Sequence, residues 1–175
     1  MKNFTLLCFV ILFSISTRAQ NQYEISKDPK NGEKTLKGII SRDLLQSDTS
    51  FTKWYTENQK AYTPNAKALA GFKKYADSIQ VIAFMGTWCE DSHFVIPKFF
   101  ILVDAAGFSK DKITLIGVDR DKKTLSHLSE ALNIKNVPTL IVLKNGKEMG
   151  RVVEYGKYGM FDLDLADIFA EMDKD

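Results

Sequence analysis

The sequence predicts an α/β fold in which a central mixed sheet is flanked by helices on both faces. Val81–Met85 is a short, wholly apolar run, and Ile113–Val118 is a second, mainly apolar one; both are typical of strands that are covered on both sides. Amphipathic segments with helical spacing stand before, between and after these runs. Asn145-Gly146 is the strongest short hairpin signal in the chain. The order helix, strand, helix, strand, helix, hairpin, helix predicts a layered α/β domain.

The helix before the first buried strand is predicted to begin at Thr63-Pro64, because Thr suits the N-cap and Pro suits the first helical position. Its apolar face consists of side chains at helical spacing: Ala68, Leu69, Phe72, Tyr75, Ala76 and Ile79. The strand that follows ends at Gly86. A second helix is predicted from about Cys89 to Ala106, closed by Gly107.

The remaining elements follow the second buried strand. Leu125, Leu128 and Leu132 mark a third helix, and Thr139–Leu143 and Lys147–Val153 are the strands of the predicted hairpin. The chain ends in an amphipathic helix whose apolar side chains are Phe161, Leu165, Ile168, Phe169 and Met172. Since the two apolar strands are joined through a helix, we expect them to be parallel with a right-handed crossover.

The first 19 residues have the pattern of a secretory signal peptide. Lys2 gives a basic start, and the apolar run Phe4–Ile15 is too short to cross a bilayer as a helix. The tripeptide Thr-Arg-Ala that ends at Ala19 matches the small-x-small pattern of a cleavage site. We therefore expect removal of residues 1–19 and export of a mature protein that starts at Gln20, to the periplasm or the cell exterior.

Cleavage at this point leaves 156 of the 175 residues, a normal length for one domain that buries its core without disulfides. The 24 basic residues become 22, equal to the 22 acidic ones. A neutral protein has no electrostatic reason to bind nucleic acid or an anionic membrane, so we expect neither as a partner. We expect a monomer.

The sequence predicts three segments: a signal peptide (1–19), an N-terminal extension with short elements (20–62) and the main domain (63–175). Residues 20–36 are polar and have no periodic pattern, so we expect them to form a flexible or loosely docked arm. Apolar residues return between Leu36 and Tyr62 without a long repeat. This pattern indicates short elements packed on the main domain.

Cys89 is the one cysteine that remains after export, an unpaired thiol in a compartment where thiols are usually oxidised. A buried, inert cysteine that acts as a small hydrophobe is the alternative. Its predicted position favours a reactive thiol, because the partial positive charge of a helix N-terminus stabilises the thiolate that attacks disulfides. The turn from strand to helix should also leave the sulfur partly exposed.

Three features coincide around this thiol. The sequence Trp88-Cys89-Glu90-Asp91-Ser92 lies where the strand becomes a helix, Pro97 lies within that helix, and Val137-Pro138-Thr139 precedes the hairpin. Over roughly residues 64–173 this pattern resembles the thioredoxin superfamily. It is most similar to exported bacterial thioredoxin-like proteins whose motif reads Trp-Cys-x-Asp-Ser or Trp-Cys-x-Asp-Cys.

The resemblance implies a thioredoxin-like fold and assigns roles to individual residues. Cys89 matches the nucleophilic cysteine and Trp88 the tryptophan before it, while Pro97 matches the proline that bends the active-site helix. Pro138 matches the cis-proline that faces the thiol. The backbone of Val137 would then pair with an extended client segment, strand to strand. We therefore predict that Trp88, Val137 and Pro138 bind the substrate.

Two departures from the dithiol pattern predict a monothiol mechanism. Ser92 stands where dithiol members have their second cysteine, and a serine can donate a hydrogen bond to the thiolate but cannot attack a mixed disulfide. Ala83 stands where dithiol thioredoxins typically keep a buried Asp. We therefore predict a thiol–disulfide exchange protein with catalytic Cys89 and Ser92, which forms mixed disulfides with client thiols in cell redox homeostasis. It would need no bound cofactor, with glutathione or another small thiol as co-substrate.

Other interpretations remain open in the sequence. A redox-inactive binding module for an extended peptide or a partner protein would keep the fold without the thiol chemistry.

Glu90 and Asp91 stabilise a first helical turn but repel a neighbouring thiolate. His93 is interpreted as an exposed helix residue, although a protonated imidazole would support the thiolate. Cys89 and His93 supply only two ligands, so we predict no metal site.

Overall fold

The computed structural model describes residues 22–174, so the predicted signal peptide lies outside the described residues. Within them the sheet has the order β1-β2-β4-β3-β5-β6. The neighbours β3 and β4 are parallel, and the other neighbouring pairs are antiparallel. This mixed sheet confirms the predicted fold class. The strands are β1 (Tyr23–Lys27), β2 (Lys34–Ile40), β3 (Ile79–Met85), β4 (Ile113–Gly117), β5 (Thr139–Lys144) and β6 (Lys147–Val153).

The helices surround this sheet, and in the described part of the chain none is long and apolar enough to cross a membrane. Two single 3-10 turns, Lys110–Lys112 and Leu125–His127, precede β4 and α5. The helices are α1 (Arg42–Ser47), α2 (Thr52–Gln59), α3 (Ala66–Lys74), α4 (Glu90–Ala106), α5 (Leu128–Ala131) and α6 (Phe161–Met172).

Alternating side chains of β3 divide the core between the two faces of the sheet. Val81, Ala83 and Met85 belong to the larger cluster, which contains the apolar faces of α1 to α4 and of α6. Phe84 belongs to a smaller cluster on the other face, beside the segment that contains α5. Cys89 packs against this smaller cluster.

The start of α3 and the third predicted helix differ from the expectation. Asn65, not Thr63, is the N-cap of α3, because its side-chain oxygen accepts hydrogen bonds from the N–H groups of Lys67 (2.9 Å) and Ala68 (3.1 Å). The third helix is reduced to a 3-10 turn followed by one α-helical turn. Ser126 and His127 have left-handed φ values of 56° and 53°, and this backbone conformation separates the 3-10 turn from α5.

The predicted flexible arm is wrong, because residues 23–40 form a hairpin that joins the sheet. Strand β2 pairs with β4 from Gly38 opposite Gly117 to Ile40 opposite Leu115. The side chains of Leu36 and Ile40 are buried in the core. Burial of these two side chains and the backbone pairing of β2 with β4 hold the hairpin on the sheet.

Candidate active site around Cys89

Cys89 lies at the turn from β3 to α4, where it is the N-cap residue of the helix. Its backbone is extended (φ −105°, ψ 119°), its N–H donates to the carbonyl of Gly86 (3.0 Å), and its own carbonyl accepts from the N–H of His93 (3.0 Å). The side chain is partly exposed. Cys89 is therefore only partly covered and stands at the positive end of a 17-residue helix.

The thiol faces the loop that precedes β5. Its Sγ atom lies 3.3 Å from the carbonyl oxygen of Val137, to which the thiol donates. The peptide bond between Val137 and Pro138 is cis. The N–H of Glu154 donates to the carbonyl of Pro138 (2.7 Å) and ties this loop to the end of β6. The structure thus brings Val137 and Pro138 to Cys89, although Val137 lies 48 residues after Cys89 in the chain.

Ser92 lies on the inner side of the first turn of α4 and is completely buried. Its Oγ atom accepts a hydrogen bond from the N–H of Gly86 (3.1 Å), which ties the helix to the turn before Cys89. One lone pair of this oxygen is thus used by the backbone, and the hydroxyl proton remains available to a further acceptor.

Trp88 shields the site beside Cys89. Its indole Nε1 donates to the carbonyl of Val118 (2.9 Å), and the guanidinium of Arg120 lies 4.7 Å from the centre of the ring. A Cβ atom at Gly86 would lie 2.6 Å from the indole, so the ring needs glycine at that position. Arg120 is in turn held by the buried carboxylate of Asp28 (2.7 Å), in the turn after β1.

Asp28 and Arg120 could not be found from the sequence, because they are 92 residues apart and belong to no motif. Burial alone would raise the pKa of Asp28. Hydrogen bonds from the N–H of Lys30 and from Arg120 act against burial and lower this pKa overall. The ionised Asp28 therefore holds Arg120 over the Trp88 ring at neutral pH.

The interpretation of His93 as an exposed residue is wrong. Its imidazole stacks on the ring of Trp54, with centroids 4.1 Å apart and an interplanar angle of 11°. Nε2 lies 2.8 Å from the carbonyl oxygen of Thr87, to which it donates. Burial lowers the pKa of His93, so the ring is neutral at neutral pH and does not place a positive charge near the thiol. The contact was missed because Trp54 belongs to the N-terminal extension.

Asp91 is held by a partner that the sequence did not reveal. The hydroxyl of Tyr155 donates to Oδ1 of Asp91 (2.8 Å). Burial, followed by this hydrogen bond, raises the pKa of Tyr155 to about 12. The neutral phenol therefore holds the Asp91 carboxylate in place in the first turn of α4. Tyr155 follows β6, 64 residues along the chain.

Thr87 connects the active-site turn to the N-terminal hairpin. Its Oγ1 donates to the carbonyl of Lys34 (3.0 Å) and accepts from the N–H of Leu36 (3.2 Å). These bonds fix β2 directly against the segment that precedes Cys89. Among residues 22–174, no group of three or more His, Cys, Asp or Glu side chains is arranged to hold a metal ion.

The thioredoxin family model matches residues 65–161, which include Cys89, Ser92, Val137 and Pro138. The chain belongs to the thioredoxin family. It is 32% identical over 87 residues to a thioredoxin of Echinococcus granulosus, which covers 50% of this chain and 76% of that protein. It is 33% identical over 81 residues to thioredoxin H2-2 of Oryza sativa subsp. japonica, which covers 46% of this chain and 56% of that protein.

A solved structure supports the same fold. The crystal structure of a protein of unknown function from Pseudomonas aeruginosa superposes with a TM-score of 0.51 and 12% identity, over 75% of this chain and 90% of that chain. Membership of the thioredoxin family is consistent with thiol–disulfide redox chemistry on client protein thiols, without a bound cofactor. The family match leaves out residues 22–64, which contain β1, β2, α1 and α2 and supply Asp28, Trp54 and the partners of Thr87.

Proposed function

We propose that this thioredoxin-family protein carries out thiol–disulfide exchange through Cys89 alone and forms mixed disulfides with client proteins. One observation carries the proposal: the partly exposed Sγ of Cys89 lies at the N-terminus of α4 and against the Val137–Pro138 loop, while buried Ser92 occupies the second position of the motif. A nucleophile is thus presented to solvent, and the side chain that would resolve its mixed disulfide in a dithiol protein is a hydroxyl.

The reaction has two exchange steps. The Cys89 thiolate attacks one sulfur of a client disulfide, a new disulfide joins Cys89 to the client, and the other client sulfur leaves as a thiolate. A second thiolate then attacks the client sulfur of the mixed disulfide and releases the Cys89 thiolate. This second thiolate comes from glutathione, another small thiol, or the client itself, in which case the net result is isomerisation of the client.

Intact mass spectrometry after acid quenching tests this proposal in cells that make the protein. The wild-type chain is expected to carry mass adducts that dithiothreitol removes, and Cys89→Ser is expected to carry none. Ser92→Ala is the matched control, because it keeps Cys89 and changes only the neighbouring hydroxyl. If the wild-type and Cys89→Ser chains show the same masses, or Cys89→Ser keeps the phenotype of the wild type, the chain binds its partners without redox chemistry.

We also propose that the protein acts after export, in the periplasm or outside the cell. The signal-like composition of residues 1–19 and the single cysteine beyond them support this location. N-terminal sequencing of the protein from fractionated cells is the test. A chain that starts at Gln20 in the exported fraction is expected, and an intact N-terminus in the cytoplasmic fraction would contradict the proposal.

A further inference from the structure

A series of side-chain contacts leads from the turn after β1 to Trp88, the residue before Cys89. The guanidinium of Arg120, in the loop after β4, lies 4.7 Å from the centre of the Trp88 ring. Its Nε atom donates to Oδ2 of Asp28 at 2.7 Å. Asp28 belongs to the N-terminal extension and lies outside the residues that match the family model. We call Asp28 and Arg120 together the Trp88 clamp.

The carboxylate of Asp28 is a rigid anchor. Its side chain is completely buried. The N–H groups of Lys30 (2.7 Å) and Asn31 (3.4 Å) donate to Oδ1, while Oδ2 accepts from Arg120. The backbone of Asp28 also closes the turn, because its N–H donates to the carbonyl of Glu33 (2.7 Å). A carboxylate that backbone donors hold in this way fixes the position of the cation that it binds.

Arg120 transmits this anchor to the indole. Its side chain is 26% exposed and has several rotatable bonds, so the ion pair with Asp28 is what restricts it. The restricted guanidinium stays over the ring, where a cation and the face of a tryptophan attract each other. The edge of the same indole is bonded at Nε1 to the carbonyl of Val118 (2.9 Å). Edge and face of Trp88 are thus held separately.

Trp88 and the reactive thiol belong to one surface. Trp88 and Cys89 are both partly exposed and pack on the same small core cluster, which contains Val137. The Sγ atom of Cys89 is bonded to the carbonyl of Val137 (3.3 Å). A client whose sulfur joins Cys89 therefore meets the indole next to it. Such a contact is most favourable when the side chain is already fixed, because ordering it during binding costs free energy.

We propose that Asp28 and Arg120 are positioning residues of the exchange reaction, which fix Trp88 for contact with the client while Cys89 forms the mixed disulfide. This inference rests on the proposed thiol–disulfide exchange and adds two residues to it. Both act through Trp88 and not on the sulfur. Their effect is therefore confined to clients large enough to contact Trp88, and a small disulfide should react with Cys89 equally well without them.

Quenching of Trp88 fluorescence by acrylamide tests the clamp without any exchange reaction. The chain has two tryptophans, so Trp54→Phe provides a background in which Trp88 is the only one. Arg120→Gln and Asp28→Asn should each raise the quenching constant, because the guanidinium no longer covers the ring. The double variant Asp28→Asn/Arg120→Gln leaves no buried charge unpaired, and it should give the same rise in a chain that folds normally.

Asp48→Asn is the matched control for Asp28→Asn. Asp48 is another carboxylate of the N-terminal extension that accepts from a backbone N–H, that of Ser50 (2.9 Å), and from a cation, Lys34 (2.7 Å). The Nζ atom of Lys34 lies over the ring of Phe51, at 5.9 Å from its centre. The control should therefore keep the quenching constant and the exchange rates of the wild type.

Exchange rates test the positioning role. The client probe is a short uncharged peptide whose central cysteine is joined to pyridine-2-thiol as a mixed disulfide. The Cys89 thiolate attacks the peptide sulfur, a disulfide forms between peptide and protein, and the pyridine-2-thiolate that leaves is measured by its absorbance. Dipyridyl disulfide, which is also uncharged, is the small probe. Arg120→Gln should lower the peptide rate about threefold and leave the rate with dipyridyl disulfide unchanged.

A double-mutant cycle shows whether Arg120 acts through Trp88. In a Trp88→Ala background, Arg120→Gln should change neither rate, because the ring that it positions is absent. A peptide rate that falls by the same factor with and without Trp88 would overturn the inference. Equal losses with both probes would also overturn it, since Arg120 would then act on the thiol itself.

The two measurements separate this inference from the proposed function. If Arg120→Gln leaves the quenching constant unchanged, the clamp does not hold Trp88, and the inference fails while the exchange chemistry stands. If Cys89 reacts with neither probe, with Cys89→Ser as the blank, the exchange chemistry itself fails, and the positioning role fails with it.

Discussion

In the proposed exchange, Ser92 determines which cycle is available to Cys89. Its Oγ atom is buried and accepts from the N–H of Gly86, so a small polar atom is held at the place where a resolving sulfur would stand. A serine hydroxyl does not attack a disulfide, whereas a thiolate does. The difference between the monothiol and dithiol mechanisms thus depends on one atom.

Replacement of Ser92 by Cys should therefore confer disulfide reductase activity. We expect Ser92→Cys to reduce insulin with dithiothreitol as electron source at a rate about tenfold above the wild type, because the new thiolate resolves the mixed disulfide. Precipitation of the insulin B chain is the measurement. Ser92→Ala should remain at the wild-type rate, and so should the double variant Cys89→Ser/Ser92→Cys. An inert but folded Ser92→Cys would show that position 92 does not face the mixed disulfide.

His93 acts on stability rather than on the charge of the thiol. Its stacking on Trp54 and its bond to the carbonyl of Thr87 bury a titratable ring, and burial lowers its pKa below the usual value. Above about pH 6.5 the ring is neutral in both the folded and the unfolded chain. As the pH falls below this value, the unfolded chain binds a proton that the folded chain resists, so the free energy of unfolding decreases.

The pH dependence of unfolding tests this role. Urea denaturation at pH 7.5 and 5.5 should show a smaller loss of stability on acidification for His93→Gln than for the wild type. Glutamine is suitable because it can still donate to the carbonyl of Thr87 and does not titrate. Equal losses in His93→Gln and the wild type would contradict the assignment.

At the scale of the elements, α3 and α6 pack closely at Gly71. A Cβ atom on Gly71 would lie 2.1 Å from the ring of Phe169. This close approach explains a glycine inside a helix, where alanine is normally the better helix former by about 1 kcal/mol. The aromatic ring of Phe169 also makes an edge-to-face contact with Phe72, 4.9 Å between centroids. The contact between the two helices therefore depends on the absence of a side chain at position 71.

Gly71→Ala should consequently destabilise the protein despite the gain in helix propensity. We expect the free energy of unfolding to fall by about 1–3 kcal/mol, because the added methyl group forces the Phe169 ring out of its position. Chemical denaturation followed by circular dichroism is the measurement. Ala70→Gly, the reverse exchange at the exposed neighbouring position, should cost only about 1 kcal/mol from propensity. A stabilised Gly71→Ala would mean that the helices are not in contact here.

At the scale of the whole molecule, the N-terminal extension and the family domain share one sheet. Strand β2 pairs with β4 and contributes Leu36 and Ile40 to the core, and α2 and its N-cap supply the buried Tyr55 and Phe51. Thr87, Trp88 and His93 each contact a residue of the extension directly or through Arg120. The surroundings of Cys89 therefore depend on residues far outside the family motif.

Removal of residues 20–62 from the mature chain should leave a fragment 63–175 that is less stable than the mature protein. The deletion exposes the edge of β4 and the apolar surface covered by β2 and α2. Thermal melts followed by circular dichroism should show a lower Tm or no cooperative transition. A chain that lacks only residues 1–19 is the control and should melt as one cooperative unit. A fragment 63–175 with the same Tm as this control would show that the extension is an independent attachment.

The prediction from sequence succeeded where the signal was local. The predicted strands Val81–Met85 and Ile113–Val118 lie within one or two residues of β3 and β4, because short, mainly apolar runs indicate strands buried on both faces. The spacing of Phe161 to Met172 likewise matches α6. The position of Cys89 at the start of α4 followed from the motif, since a strand, a turn and a helix are encoded by consecutive residues.

Only the tertiary structure decided what surrounds the thiol. Three contacts illustrate this: Thr87 with β2, Arg120 with Asp28, and Trp54 with His93. Each joins residues that are 39 to 92 positions apart and belong to different parts of the fold. No local periodicity encodes such contacts, because they form only when elements that are distant in the sequence pack against each other. The sequence alone thus determined the fold class and the position of Cys89 at the start of α4, whereas the packing of distant elements determined which residues surround it.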